Sequence, residues 1–268
     1  MRQLLSRPTA FLILVSALLA TGCQSIPCCK PSPAAPMGDR RHHATLWFHS
    51  AESTAMYLQS FAQARQALDA QVAQPAPAKP RAIVTDIDET VLDNSPYQVW
   101  LIQNRQPYSP ATWKKWTALA SAAALPGASN FLNYASSRGV AVFYVTNRDQ
   151  DEADATLKNL RAAGFPNATS EHLFCKRTTK GKEDRRQEIA RRYSICLLLG
   201  DNLSDFSAAF DTTVAQERAA AVTKNTALFG SNWIVFPNPM YGDWEKGKTI
   251  GASGTNAFAI ENFKAPKL

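Results

Sequence analysis

Polar and acidic residues stand where short apolar runs end, and this repeated junction constrains the fold more than any other feature of the 268-residue chain. Ala82–Asp88 closes on Asp86 and Asp88. Val140–Asn147 closes on Thr146 and Asn147, and Ser194–Asp201 closes on Asp201. His172–Cys175 and Trp233–Phe236 are weaker runs of the same kind. Helical stretches over 127–138, 150–163, 182–192 and 204–222 lie between them. Strands alternating with helices predict an α/β fold, a doubly wound parallel sheet covered on both faces. Ligands of such sheets bind beyond the carboxyl ends of the strands, so the polar ends of separate runs are expected to share one edge.

The flanks read differently. Residues 1–22 carry Arg2, Arg7 and a short apolar run from Ala10 to Ala20, too short to span a bilayer and suited to a secretory signal. Thr21 and Gly22 precede Cys23 as small residues precede the lipidated Cys of a bacterial lipobox, although Ala20 stands where Leu is commonest. Lipidation of Cys23 would anchor the domain to a membrane. Residues 23–43 hold Pro27, Pro31, Pro33 and Pro36 and are expected to be a tether. Residues 44–80 read as an N-terminal helical segment packing with a cap, and 81–268 as the core. The cap is the insertion over about 93–126, where Trp100, Tyr108, Trp113 and Trp116 suggest two short helices forming a lid. Asp93 reads as a cap of the lid helix and Arg148 as a contact to the helix that follows it. Cys28, Cys29, Cys175 and Cys196 read as thiols, with no C-x-x-C spacing to suggest metal or redox chemistry.

Carboxylates converging on one sheet edge repel one another and call for a cation between them. All-oxygen ligation suits Mg²⁺, which also binds substrate phosphate. A carboxylate in such a site can attack phosphorus, and a second one two residues on can serve as acid and then base. A Thr hydroxyl and a Lys ammonium can neutralise the transferring group. The ordered set is D-x-D-x-T at Asp86–Thr90, Thr146 after the second strand, Lys182 opening a helix, and G-D-x-x-x-D from Gly200 to Asp205.

This set resembles the haloacid dehalogenase-like phosphohydrolases, and more narrowly the class C acid phosphatases, lipoproteins also described as 5′-nucleotidases. The likeness is carried by Asp86-Ile87-Asp88-Glu89-Thr90-Val91-Leu92-Asp93-Asn94-Ser95-Pro96-Tyr97, Val145-Thr146-Asn147-Arg148, Lys182-Glu183-Asp184-Arg185-Arg186, Gly200 to Phe206, and Asn238-Pro239-Met240-Tyr241-Gly242-Asp243-Trp244. It implies a Rossmann-like core with a small helical cap, Asp86 as nucleophile and Asp88 as acid/base. It also implies phosphate binding by Thr146, Asn147 and Lys182, one Mg²⁺ per chain held by Asp86, Asp88, Asp201 and Asp205, and aromatic walls from Tyr97 and Tyr241. The expected substrates are small phosphomonoesters, nucleoside 5′-monophosphates or aryl phosphates. A homodimer is part of the same implication. Gln24 after the lipidated Cys is not the Asp that, by resemblance to enterobacterial lipoproteins, retains such proteins at the inner membrane, so the outer membrane is expected. Phosphoryl transfer to another acceptor is the near alternative. A non-catalytic ligand- or haem-binding lipoprotein is the distant one, disfavoured by the paired carboxylates.

Hydrophobic residues at 45% and charged residues at 19% exclude a disordered chain. The formal net charge of +7 does not spread evenly, because residues 176–192 hold eight basic and three acidic side chains. With no recognition motif for nucleic acid, that basic segment around Lys182 fits a small phosphate ester better than a polynucleotide.

Overall fold

In the computed structural model, which describes residues 36–246, the apolar runs become neighbouring strands of one sheet. In chain order the elements are α1 (Pro36–Phe48), α2 (Ala51–Ala73), β1 (Arg81–Thr85), β2 (Leu92–Asp93), α3 (Ser95–Gln103), α4 (Pro110–Ala118), β3 (Ala123–Ala124), α5 (Ala128–Ser137), β4 (Ala141–Asp149), α6 (Ala153–Ala162), β5 (Leu173–Lys176), α7 (Glu183–Ala190), β6 (Ser194–Gly200), α8 (Ala215–Lys224) and β7 (Trp233–Val235). The main sheet has the order β5-β4-β1-β6-β7, all parallel. The central strand β1 pairs with β4 through Ala82↔Ala141 and with β6 through Ile83↔Leu197. The chain winds outward from β1 on one side, then crosses to the other at β6. That reversal opens the ligand crevice at the carboxyl ends of β1, β4 and β6.

Helix α2 shows why the N-terminal segment folds onto this sheet. Its buried residues Tyr57, Phe61, Ala64 and Leu68 recur at helical spacing and form one stripe. The stripe meets Phe131 of α5 and Phe236 beyond β7. Ser50 caps the helix by accepting from Ser53 N at 3.2 Å. Gly127, at φ +88°, opens α5 where a side chain would run into Phe61. The N-terminal segment therefore divides: α1 lies against α3 of the cap, whereas α2 lies against α5, β6 and β7 of the core.

Three sequence expectations need correction. Helix α1 starts at Pro36, so the last residues assigned to the tether are helical. The insertion contains the two expected helices but also a two-stranded ribbon, β2 with β3, paired antiparallel through Leu92↔Ala124. The single helix expected over 204–222 is replaced by two short 3₁₀ turns followed by α8. The cause is local: Asn202 and Ser207 side chains accept from Ser204 N and Ala209 N, and such bonds compete with helix propagation. Phe206 and Phe210 pack on Trp233 from these turns.

Residues 1–22, Cys23, Cys28 and Cys29, and the tail from residue 247 lie outside the described residues. Among the described residues, no helix is long and apolar enough to cross a membrane. Cys175 and Cys196 are buried free thiols.

Candidate active site

The loop after β1 carries the first carboxylates. Asp86 N donates to Leu199 O at 2.9 Å, extending the β1–β6 ladder one residue past the strand. Ile87 points into the core, and its carbonyl accepts from the N–H groups of Thr90, Val91 and Leu92. The intervening Glu89 takes φ +57°, the left-handed region that a side chain disfavours. Two contacts hold it there: its carboxylate accepts from Asn94 N at 2.8 Å, and its carbonyl accepts from the Tyr57 hydroxyl at 2.5 Å. Asp93, just before the lid helix, accepts from Ser95 N at 2.7 Å.

The other strands complete the edge. β4 delivers a buried Thr146, then an exposed Asn147 and a buried Arg148. β6 ends at Gly200 and presents Asp201, whose two oxygens accept from Thr90 Oγ1 at 3.3 Å and Asn238 Nδ2 at 2.8 Å. Asp205 folds back over Gly200, close enough that a side chain at 200 would collide with it. Lys182, directly before α7, is buried and pairs with Asp86 and with Asp205 Oδ1 at 2.6 Å. Asp205 Oδ2 accepts from Asn202 N at 3.0 Å.

Asp86, Asp201 and Asp205 offer carboxylate oxygens that all lie within 4.8 Å of one another. Burial pushes Asp86 up to about 7, helped by Asp205 and Asp88 and opposed by Lys182. Asp201 is pushed well above the ordinary carboxylate range by burial, Asp86 and Asp205. Burial pulls the Lys182 ammonium down, but Asp205 and Asp86 outweigh it and the net shift is up. Three crowded acids, Asp86 and Asp205 buried and Asp201 half-buried, with one lysine form a donor set that fits a hard divalent cation. Asp88 lies apart from this cluster, with both of its oxygens facing Arg148.

Two buried arginines that sequence reasoning left without roles organise the edge. Arg185 donates to Thr146 O at 2.5 Å, to Asn147 Oδ1 at 2.9 Å and to Gly181 O at 3.1 Å. Arg186 donates to Ser204 O and Asp205 O at 3.1 and 2.8 Å. Each guanidinium fork ties α7 to one catalytic loop. The signal was present as adjacent arginines one turn into the helix opened by Lys182, but a charge run gives no hint that two of its members are buried. Arg148 does reach the following helix as expected, through Thr156 Oγ1 at 3.2 Å, and also grips Asp88.

The aromatic walls are partly revised. Tyr97 is 2% exposed, its hydroxyl is bonded to Thr112 Oγ1 at 2.8 Å, and its ring is enclosed by Trp100, Tyr108 and Trp113. It packs the cap and offers no open face to a substrate. Trp100 and Tyr108 are the exposed members of that cluster. Tyr241 is half-buried, and the Asn238 that donates to Asp201 accepts its N–H at 3.4 Å.

A family model described as HAD superfamily, subfamily IIIB (acid phosphatase), matches residues 41–244, most of the chain. The chain belongs to this acid phosphatase family. The matched span includes every candidate site residue described above. A solved class C acid phosphatase from Bacillus anthracis is 44% identical, with a TM-score of 0.75, covering 78% of this chain and 88% of that one. The same Bacillus anthracis enzyme with tungstate bound is 43% identical, with a TM-score of 0.76, covering 79% and 89%. A more distant relative, the stem 31 kDa glycoprotein of Glycine max, is 28% identical over 125 residues, 44% of this chain. The match spans about half the length of that curated relative, 49%. The parallel five-stranded sheet with flanking helices is the fold of this family.

Proposed function

We propose that the protein is a Mg²⁺-dependent acid phosphatase of the cell envelope, hydrolysing small phosphomonoesters through an aspartyl-phosphate on Asp86. One observation carries the reading. Two carboxylates two residues apart sit in opposite surroundings: Asp86 is buried against Lys182 and the Asp201–Asp205 pair, while Asp88 is partly open and held by Arg148. Carboxyl groups separated in this way suit different tasks in one reaction.

Asp86 attacks phosphorus in line while Asp88 gives a proton to the leaving oxygen as the P–O bond breaks. Water then attacks the acyl phosphate, with Asp88 taking its proton. Lys182 and the Thr146 hydroxyl face the phosphoryl oxygens, where a preorganised donor contributes most. Asp86, Asp201 and Asp205, with the backbone carbonyl of Asp88, would hold the metal, which supplies charge neutralisation and orientation of the phosphoryl group. The tungstate bound by the Bacillus anthracis relative is a tetrahedral oxyanion of the kind this cradle suits. Trp100 and Tyr108, exposed on the cap, favour substrates with a base or ring, such as nucleoside 5′-monophosphates and aryl phosphates. The envelope location rests on residues 1–23, read as a signal and a lipidated Cys23.

Phosphate release from a panel of nucleotide and aryl monoesters, with Mg²⁺ and with a chelator, tests the reading. We expect chelation to abolish release and Asp86→Asn to lower it by about 10³-fold or more. Undiminished hydrolysis by Asp86→Asn would remove the nucleophile assignment.

A further inference from the structure

We infer that Arg148 and Asn94 are positioning residues that aim the Asp88 carboxylate, and that both tie it to the cap helix α4. This rests on the phosphatase reading, since it concerns the acid of that same reaction.

Arg148 is nearly inaccessible, its side chain 1% exposed, whereas Asp88 is 16% exposed. The buried cation therefore backs a carboxylate that opens onto the site. Arg148 Nη2 donates to Asp88 Oδ1 at 2.7 Å, and Nε lies 3.1 and 3.2 Å from Oδ1 and Oδ2. Asn94 Nδ2 donates to the same Oδ1 at 2.9 Å. Oδ1 thus has its lone pairs taken by a guanidinium and an amide. Oδ2 has only the shared Nε and a long contact of 3.5 Å from the Thr146 hydroxyl. Thr146 is one of the groups assigned to the phosphate, so Oδ2 is the oxygen left to carry the proton and the one that faces the phosphate side. As the P–O bond breaks, its electron pair stays on the leaving oxygen, and the Oδ2 proton passes to it.

Both positioning residues lead back to α4. Asn94 Oδ1 accepts from Trp116 Nε1 at 2.8 Å. The Arg148 guanidinium stands 5.8 Å from the Trp113 ring centre, within reach of a cation–π contact. Asn94 is itself fixed by Glu89 through its backbone N–H. A cap helix seated over the site therefore holds the acid in register, and a displaced one releases two of its supports.

The test is kcat/KM of the full-length protein with Mg²⁺, on 4-nitrophenyl phosphate and on glycerol 2-phosphate. The first has a leaving group that departs without a proton; the second does not. We expect Arg148→Met to lower kcat/KM on glycerol 2-phosphate by roughly 10²-fold and on 4-nitrophenyl phosphate by less than about threefold, the pattern of a lost general acid. Arg148→Lys should fail to restore the first substrate, because an ammonium cannot make the forked contact. Trp116→Phe should shift the ratio of the two substrates in the same direction by a smaller factor. Inhibition by tungstate should stay unchanged in each variant, reporting an intact phosphate cradle.

Equal losses on both substrates with tungstate inhibition retained would overturn the inference. Should Arg148→Met unfold, Asn94→Ser and Trp116→Phe decide it on the same ratio. Asp88→Asn separates the two levels. If it is selective for the alkyl ester while the Arg148, Asn94 and Trp116 variants are not, only the positioning inference falls. If Asp88→Asn loses both substrates equally, the acid assignment falls and the inference with it.

Discussion

Lys182 Nζ lies 2.6 Å from Asp205 Oδ1 and also pairs with Asp86, so one buried ammonium bridges two buried carboxylates. Removing one member of such a group leaves charge stranded in a poor solvent, which costs about 3–5 kcal/mol. Lys182→Met should therefore destabilise the metal-free protein by roughly that amount near neutral pH. The loss should shrink at acid pH, where Asp86 takes up a proton instead. Urea unfolding at two pH values checks this; a loss that does not change with pH would contradict the bridging role.

Gly200 is the residue over which Asp205 lies, and any Cβ there meets the Asp205 side chain. Gly200→Ala must push Asp205 away from Lys182. We predict a stability loss of about 1–3 kcal/mol, typical of overpacking, together with a higher Mg²⁺ requirement for phosphate release. Normal metal dependence in Gly200→Ala would show that Asp205 does not depend on this close approach.

Much of this edge could be read from the chain, and the reasons are physical. Period and polarity place Asp86, Thr146 and Asp201 at strand ends, because a parallel sheet puts all those ends on one side. Lys182 was legible from spacing and from the resemblance together. Tyr97 was not, because an aromatic beside a catalytic loop reads alike whether it faces the substrate or the cap interior. The roles of Arg185, Arg186 and Tyr57 depend on carbonyl groups that only the fold brings near. The 3₁₀ turns after β6 were missed because Asn202 and Ser207 cap locally within a stretch of helical composition.

The pH dependence of stability follows from Asp86, pushed from an ordinary 3.8 to about 7 by burial. Between those values the folded state holds a proton that the unfolded state has lost. Stability of the chelator-treated protein should therefore fall as pH rises from about 4 to 7, with a slope of up to about 1.4 kcal/mol per pH unit from this one group. Asp201, shifted in the same direction, adds to the trend. Added Mg²⁺ should reverse it by binding the deprotonated cluster. Thermal unfolding across this range with and without Mg²⁺ measures it. Melting temperatures that rise with pH in the chelator would contradict the shift.

Tyr57 reaches from α2 to two catalytic loops. Its hydroxyl lies 2.5 Å from Glu89 O and 3.0 Å from Pro237 O. Tyr57→Phe leaves the buried Glu89 carbonyl without this donor, at a cost of about 1–3 kcal/mol. Because Glu89 sits in the left-handed region between Asp88 and Thr90, we also predict lower kcat with little change in tungstate inhibition. A variant with wild-type stability and wild-type kcat would show that the N-terminal helix does not support the loop.

An Asp86 nucleophile must become phosphorylated during turnover. Acid quenching of the full-length protein during steady-state hydrolysis of 4-nitrophenyl phosphate with Mg²⁺, followed by peptide mass mapping, tests it most directly. One phosphoryl group is expected on the peptide containing Asp86, lost on raising the pH as an acyl phosphate is, and absent from Asp86→Asn. A protein that turns over substrate with no trapped phosphoryl group, or with one on any other residue, would contradict it.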